Sequence, residues 1–412
     1  MSNQSEEKFP SFSEFMESLA DTKIQDYSAN PATKVANDDQ FAEMKSYLLD
    51  LYDGVSATHS FADENGQVFD CVPIEQQPSL KGGEKMAEAP DQPGAAEPSG
   101  ELQAQSQLSP ERKDKFGNAM WCPPGTIAVR RITMNELSRF EDMRNFFQKS
   151  PSGGRHPLHG SSNAKAASGT HQYAHAYQNV KNLGGRSKIN IWNPVVDPAI
   201  HTFSLSQQWY AAGSPVQTVE AGVQIYPQKY STSKPVFFIY WTADGYANTG
   251  CYNLDCSAFV QTNNKWIIGG AMSSSSVTGG TQYEILVSFY LTGGNWWLYI
   301  GGGAASNAIG YYKASQFGTG PMATAADSID YGGETVNITA FPPMGSGAFA
   351  NAAWQKAAYQ SAIEYFPATG GASAANLTAA QPSPSCYTID LLSAAAPWSK
   401  YFYFGGPGGT SC

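Results

Sequence analysis

QYEILVSFYLTGGNWWLYIGG, residues 282 to 302, reads as two runs of β-branched and aromatic residues hinged on Gly293 and Gly294. Such runs suit a pleated, half-buried surface, and a short glycine loop between them is a hairpin signal. Adjacent strand residues point to opposite faces, so one of Trp296 and Trp297 is expected in a core while the other lines a groove. PVFFIYWTA (235 to 243) has the same character, and similar runs recur between Gly, Asn and Ser turns throughout the chain beyond residue 170. Only AFANAAWQKAAYQSAIEYF (348 to 366) has helical spacing and length. Many short strands without alternating helices predict an all-β domain, an antiparallel β-sandwich of two packed sheets.

Charge divides the 412 residues in two. Residues 1 to 159 hold 25 of the 35 acids and 15 of the 25 Lys and Arg, whereas the remainder balances ten acids with ten bases. An acidic balance without a basic run argues against nucleic acid, and no stretch approaches the roughly 20 apolar residues of a membrane span. From 81 to 115 the chain (GGEKMAEAPDQPGAAEPSGELQAQSQLSPERK) has almost nothing to bury and reads as a mobile linker. Ahead of it, FPSFSEFMESLA (9 to 20) and DDQFAEMKSYLLDLY, the latter opened by Asn37 or Asp38, have apolar residues at helical spacing. MWCPPGTIAVRRITMNELSRFEDMRNFFQK (120 to 149) reads as a strand and then a helix. A second soft stretch, 150 to 170, follows. Together these features predict a small α+β acidic pro-region (1 to 150), a flexible processing segment (151 to 170) and a neutral β domain (171 to 412).

The six cysteines fit an oxidising compartment outside the cell. Cys251 and Cys256 can close a local loop, Cys386 and Cys412 bracket the C-terminal segment, and Cys71 and Cys122 both fall in the pro-region, so three disulfides form without crossing the domain boundary. Sequons at Asn337 and Asn376 fit secretion. MSNQSEEKFPS lacks the basic and apolar regions of a signal peptide, so export requires one already removed. No GxSxG elbow, GxGxxG fingerprint or P-loop is present. His171 and His175 lack an HExxH context, His201 has no nucleophile motif to partner, and neither a metal nor a cofactor is expected. The remaining signal is a pair of glutamates. VEAGVQIYP (219 to 227) and YGGETVN (331 to 337) each set one acid, Glu220 or Glu334, in an apolar, glycine-flanked run, in a region with only ten acids. A buried carboxylate is costly unless it is paired or used.

The order of several blocks then resembles one family. INIWNPVV (189 to 196), FSLSQQWYAAG (203 to 213), VEAGVQIYP, YWTADGYANTGCYNLDCSAFV (240 to 260), QYEI (282 to 285), NWWLYIG (295 to 301), IGYYKASQF (309 to 317), YGGETVN, MGSG (344 to 347) and YFYFGGPGGTSC (401 to 412) are similar to successive blocks of the neprosin family of glutamic peptidases. DCVPIEQQPSL (70 to 80) and WCPPGTIAVRRIT (121 to 133) resemble its pro-segment. The resemblance implies a cleft on the concave face of one sheet, Glu220 and Glu334 as catalytic residues, and cleavage after proline. Val223 and Tyr331 stand where the family usually has Trp, which on this reading alters the groove walls. Two neighbouring glutamates that share a proton suit acid-base activation of water in acid.

Gln208, Gln224, Tyr240 and Tyr246 are the expected oxyanion donors, with Trp296, Trp297 and Tyr331 as further cleft candidates. The expectation is a secreted, monomeric zymogen of an acid-acting, proline-directed endopeptidase. Its partners would be proline-rich substrates and its own pro-region as inhibitor, plugged by Phe116 to Ile132. A carbohydrate-binding sandwich, or a glycoside hydrolase using the same carboxylates, is the alternative.

Overall fold

The computed structural model describes residues 8–94, 102–103, 108–149 and 169–412. Apart from 169 and 170, the expected processing segment lies outside the described residues. Two sheets, antiparallel apart from the short parallel pairing of Leu102–Gln103 in the second, face each other. In the first, seven described strands run in the order Cys251–Tyr252, Val236–Thr242, Gln217–Ile225, His201–Ala212, Ala326–Asn337, His171–Asn182, Thr378–Ala380. The second has ten, with Asn295–Ile300, Tyr283–Thr292, Gly184–Asn190 and Ala358–Tyr365 at its centre. Alternation packs Ala176, Tyr210, Val219, Ile239 and Tyr331 of the first sheet against Ile189, Val287, Phe289, Trp296 and Leu298 of the second. This is the β-sandwich that the aromatic runs predict, and the 282 to 302 hairpin turns on Gly293 and Gly294, both at positive φ (58° and 76°).

One local expectation fails. Ala358–Tyr365 is a strand between Gly184–Asn190 and Lys400–Gly405, not the second half of a helix. Alanine favours helix by well under 1 kcal/mol per residue, which burial of Ala358, Tyr359 and Gln360 inside a sheet outweighs.

The pro-region is α+β. Ser11 caps the helix Phe12–Asp21 in a capping box with Glu14, and Asn37 caps Asp38–Tyr52 through the Gln40 amide. A three-stranded sheet (His59–Ala62, Val68–Pro73, Thr126–Arg130) and two short helices, Met134–Leu137 and Met143–Phe147, complete it. Phe15, Leu48, Leu137, Phe140 and Phe146 pack onto Phe203, Leu205, Phe238, Tyr240 and Val336, on the outer face of the seven-stranded sheet. Each fully buried side chain of this size contributes about 1.5–3 kcal/mol.

Of the expected linker, 95 to 101 and 104 to 107 lie outside the described residues, and the described parts are less loose than the composition predicts. Residues 84 to 94 run as an extended strap across the outer face of the ten-stranded sheet, and Leu102–Gln103 pairs with Tyr283–Thr292. All three expected disulfides are formed. Of the two sequons, Asn376 is exposed, but Asn337 is buried with its side chain accepting the Thr170 N–H, so it is no glycosylation acceptor in the folded chain.

Candidate active site

Gln217–Ile225 and Ala326–Asn337 both pair with the strand between them, His201–Ala212. Register sets Glu220 opposite Trp209 and Glu334 opposite Leu205, so the two acids straddle Gln207 on the same face. Gln207 itself lies between Gly222 and Gly332. Neither neighbour carries a side chain, and a Cβ at Gly222 would come within 2.6 Å of the Gln207 Cα. At Gly332, where φ is +152°, it would come within 2.6 Å of the His175 Cα. The glycine of each motif therefore opens the floor beside its glutamate.

A lysine of the pro-region fills that floor. Lys149 Nζ lies 2.5 Å from Glu220 Oε2, 2.8 Å from Glu334 Oε2 and 2.9 Å from Gln207 Oε1, which accounts for all three ammonium hydrogens. The two carboxylate oxygens are thus at most about 5.3 Å apart, the sum of the two contacts. All three charged side chains are fully buried. Burial alone would lower the Lys149 pKa, but Glu220 and Glu334 outweigh it and hold the ammonium above the ordinary lysine range. The Met143–Phe147 helix delivers this residue: Phe146 is buried, Lys229 sits 3.6 Å over its ring, and the Gln148 amide donates to the Ala247 carbonyl. The residue that reaches the glutamates is therefore Lys149. Within the expected plug, Met120 and Cys122 pack instead with Phe61 and Ile267, and Phe116 with Phe9.

The surroundings of the two acids differ. Glu220 accepts hydrogen bonds from Thr218 Oγ1 (2.8 Å) and Tyr246 OH (2.7 Å). Tyr246 sits at φ +64° in a loop held by Asp244, whose carboxylate accepts the N–H groups of Ala247, Asn248 and Thr249. Glu334 meets His171 Nδ1 at 2.5 Å, Tyr173 OH at 3.2 Å and Gln207 Nε2 at 3.2 Å. Burial, then the adjoining carboxylates, push the Tyr173 and Tyr246 hydroxyls well above their usual range, so both remain donors. His175, two residues from Tyr173, pairs with Asp330 at 2.7 Å and stacks on Trp209.

Family comparison identifies the two parts. The family model described as Neprosin matches residues 201–407 and the one described as Neprosin activation peptide matches 60–177. The chain belongs to the neprosin family. It is a peptidase carrying that family's activation peptide ahead of the peptidase domain. Among solved structures it is similar to scytalido-glutamic peptidase with a transition state analog inhibitor, at 7% identity and a TM-score of 0.32, covering 57% of this chain and 98% of that one. A second structure of that peptidase, with a peptide-based transition state analog, gives 7% and 0.33, covering 57% and 97%.

Of the residues expected in the cleft, Tyr240 lies directly opposite Glu220, Tyr246 contacts it, and Gln224 lies on the same face, bonded to Tyr230 and Tyr252. Others are misplaced. Gln208 and Tyr331 point into the core between the sheets, where Tyr210 OH joins them, and Val223 does too, so neither Trp-replacing residue forms a groove wall. Trp296 is in that same core, and Trp297 lies under the strap on the far side of the other sheet. Lys149, Gln207, Thr218, His171 and Tyr173 contact the glutamates without having been expected to. For His171 and Tyr173 the available signal was their alternation, which sets both on one face of a strand.

Proposed function

We propose that this chain is the secreted zymogen of an acid-acting glutamic endopeptidase that cleaves after proline, with Glu220 and Glu334 as its catalytic pair and residues 1 to 150 as its inhibitor. The observation that carries the reading is the single buried ammonium held by both glutamates. A site that binds one cation between two carboxylates can also bind one water there, with a shared proton, once the cation is gone.

Glu334, which faces three donors, is the better-stabilised carboxylate and acts as general base on the water; Glu220 carries the proton and donates to the leaving amine. Gln207 Nε2 points into the same space and supplies the hydrogen bond to the developing oxyanion. Latency follows from the same contact. Protonating either glutamate in acid leaves Lys149 a buried charge short of a partner, which favours its withdrawal, and the chain just beyond it is the 151 to 170 segment where cutting separates the halves. Proline direction rests on the family resemblance, and export on the three disulfides.

Incubating the full-length chain in acid with a proline-rich protein, followed by mass spectrometry, tests this. Products ending in proline, absent with Glu220→Gln and with Glu334→Gln, are expected. Cleavage retained in both variants overturns the pair, and cleavage after other residues overturns the specificity.

A further inference from the structure

We propose that the outer face of the ten-stranded sheet, across the sandwich from the glutamates, is a second peptide-binding site, one that takes an extended peptide segment anchored by a buried glutamine. The strap fills it until the pro-region leaves, so the inference rests on the release proposed above.

Residues 84 to 94 (EKMAEAPDQPG) form neither helix nor strand, yet they are read at short intervals along their main chain. The Ala87 N–H donates to Tyr311 OH (3.1 Å), Tyr299 OH donates to the Pro90 carbonyl (2.7 Å), the Gln92 N–H donates to the Gly303 carbonyl (2.8 Å), and Arg186 Nη1 donates to the Gly94 carbonyl (2.9 Å). Contacts to an extended backbone are how grooves bind peptides irrespective of most side chains. Three side chains are read as well: Asp91 Oδ1 accepts the Ala305 N–H at 2.7 Å, Glu84 pairs with Lys313, and Gln92 goes deepest. Gln92 is buried, its Nε2 donating to Ser288 Oγ at 2.7 Å and its Oε1 accepting from the same hydroxyl at 3.1 Å. Ala87 and Ala89 rest on a floor containing Trp297, Tyr299 and Tyr311.

The groove does not depend on the strap for its shape. The Arg186 guanidinium is fixed by Glu364 through Nε (2.7 Å) and Nη2 (2.6 Å), and Trp297 and Tyr311 hold one another with ring centres 4.6 Å apart. Departure of the strap leaves an aromatic floor in water, rimmed by Ser288, Tyr299, Tyr311 and Arg186 with donors and acceptors free. Such a patch marks an interaction site. A long substrate with an extended, glutamine-bearing segment can anchor there while another part of it is cut.

The test uses enzyme processed in acid from the full chain, separated from its pro-region by gel filtration in acid and returned to neutral pH. A fluorescent peptide of residues 84 to 94 is titrated in and its polarisation followed. Saturable binding is expected, weakened about tenfold in a Gln92→Ala peptide. Ser288→Ala enzyme should bind the two peptides alike while cleaving short substrates normally. Active, processed enzyme that does not bind the peptide, or wild-type enzyme that binds both peptides equally, overturns the second site and leaves the peptidase reading intact. A chain that stays whole in acid overturns the release, and the second site with it.

Discussion

Replacing Lys149 with methionine keeps most of the side chain's volume and removes its charge. In the zymogen this leaves Glu220 and Glu334 fully buried, within about 5.3 Å of each other, with no cation between them. Breaking a buried ion pair by removing one partner costs about 3–5 kcal/mol, and each 1.4 kcal/mol is tenfold. Docking of the pro-region at neutral pH should therefore weaken by roughly two to three and a half powers of ten. The sign of the pH effect changes as well. The raised pKa of Lys149 means that its contribution is present throughout the range below about 10.4 and is lost only as pH rises through its still higher value, so acid never discharges it. Acid acts on the carboxylates. In the wild type, protonating one strands the ammonium, whereas in Lys149→Met it relieves two adjacent negative charges. The assay is the pH at which half of the full-length chain is processed in a fixed time, read by mass spectrometry. Lys149→Met should be processed at a pH higher by more than about one unit, with a shallower profile. The Lys149→Met profile coinciding with wild type would refute the lysine as the latch.

Glu284→Gln should retain activity per folded molecule but unfold at lower temperature. It leaves Lys188, now 3.0 Å from Glu284 and nearly buried, without its carboxylate, and calorimetry beside an activity assay separates the two effects. Gln207→Ala should lower kcat about 100-fold or more by removing the oxyanion donor. Gln208→Ala, which empties a core position, should lower the melting temperature and leave kcat per folded molecule near wild type. His175 is buried, which lowers its pKa, but Asp330 outweighs this and raises it above the usual value. Stability from that pair should be full below about pH 6.5 and fall as pH rises through the raised value, and Asp330→Asn should flatten the trend in urea titrations.

The sandwich was legible because its strands announce themselves: QYEILVSFY and NWWLYIGG cannot sit comfortably as anything else. The glutamates were legible because acids are scarce in the domain. Other parts were hidden for physical reasons. In His201–Ala212 every residue is buried on both faces, so FSLSQQWYAA has no polar-apolar alternation to say whether Gln207 or Gln208 joins the acids. The same double burial misplaced Tyr331 and Trp297, since the covered face of each sheet is as dry as its core. Lys149 gave no signal because a lysine ahead of a soft stretch looks like any solvated residue, and only the tertiary fold shows that it is buried. The strap was misread because its sequence buries little of itself; the groove that receives it supplies the order.

Cys71 and Cys122 join the two ends of the segment containing the strap. A stray protease that nicks the chain anywhere from 72 to 121 leaves the strands Val68–Pro73 and Thr126–Arg130 tied together, and Lys149 still attached to them. The inhibitor thus tolerates a cut between its two cysteines. On the proposed reading, liberation then needs a cut on the far side of Lys149, and the bond renders cuts between the cysteines inconsequential.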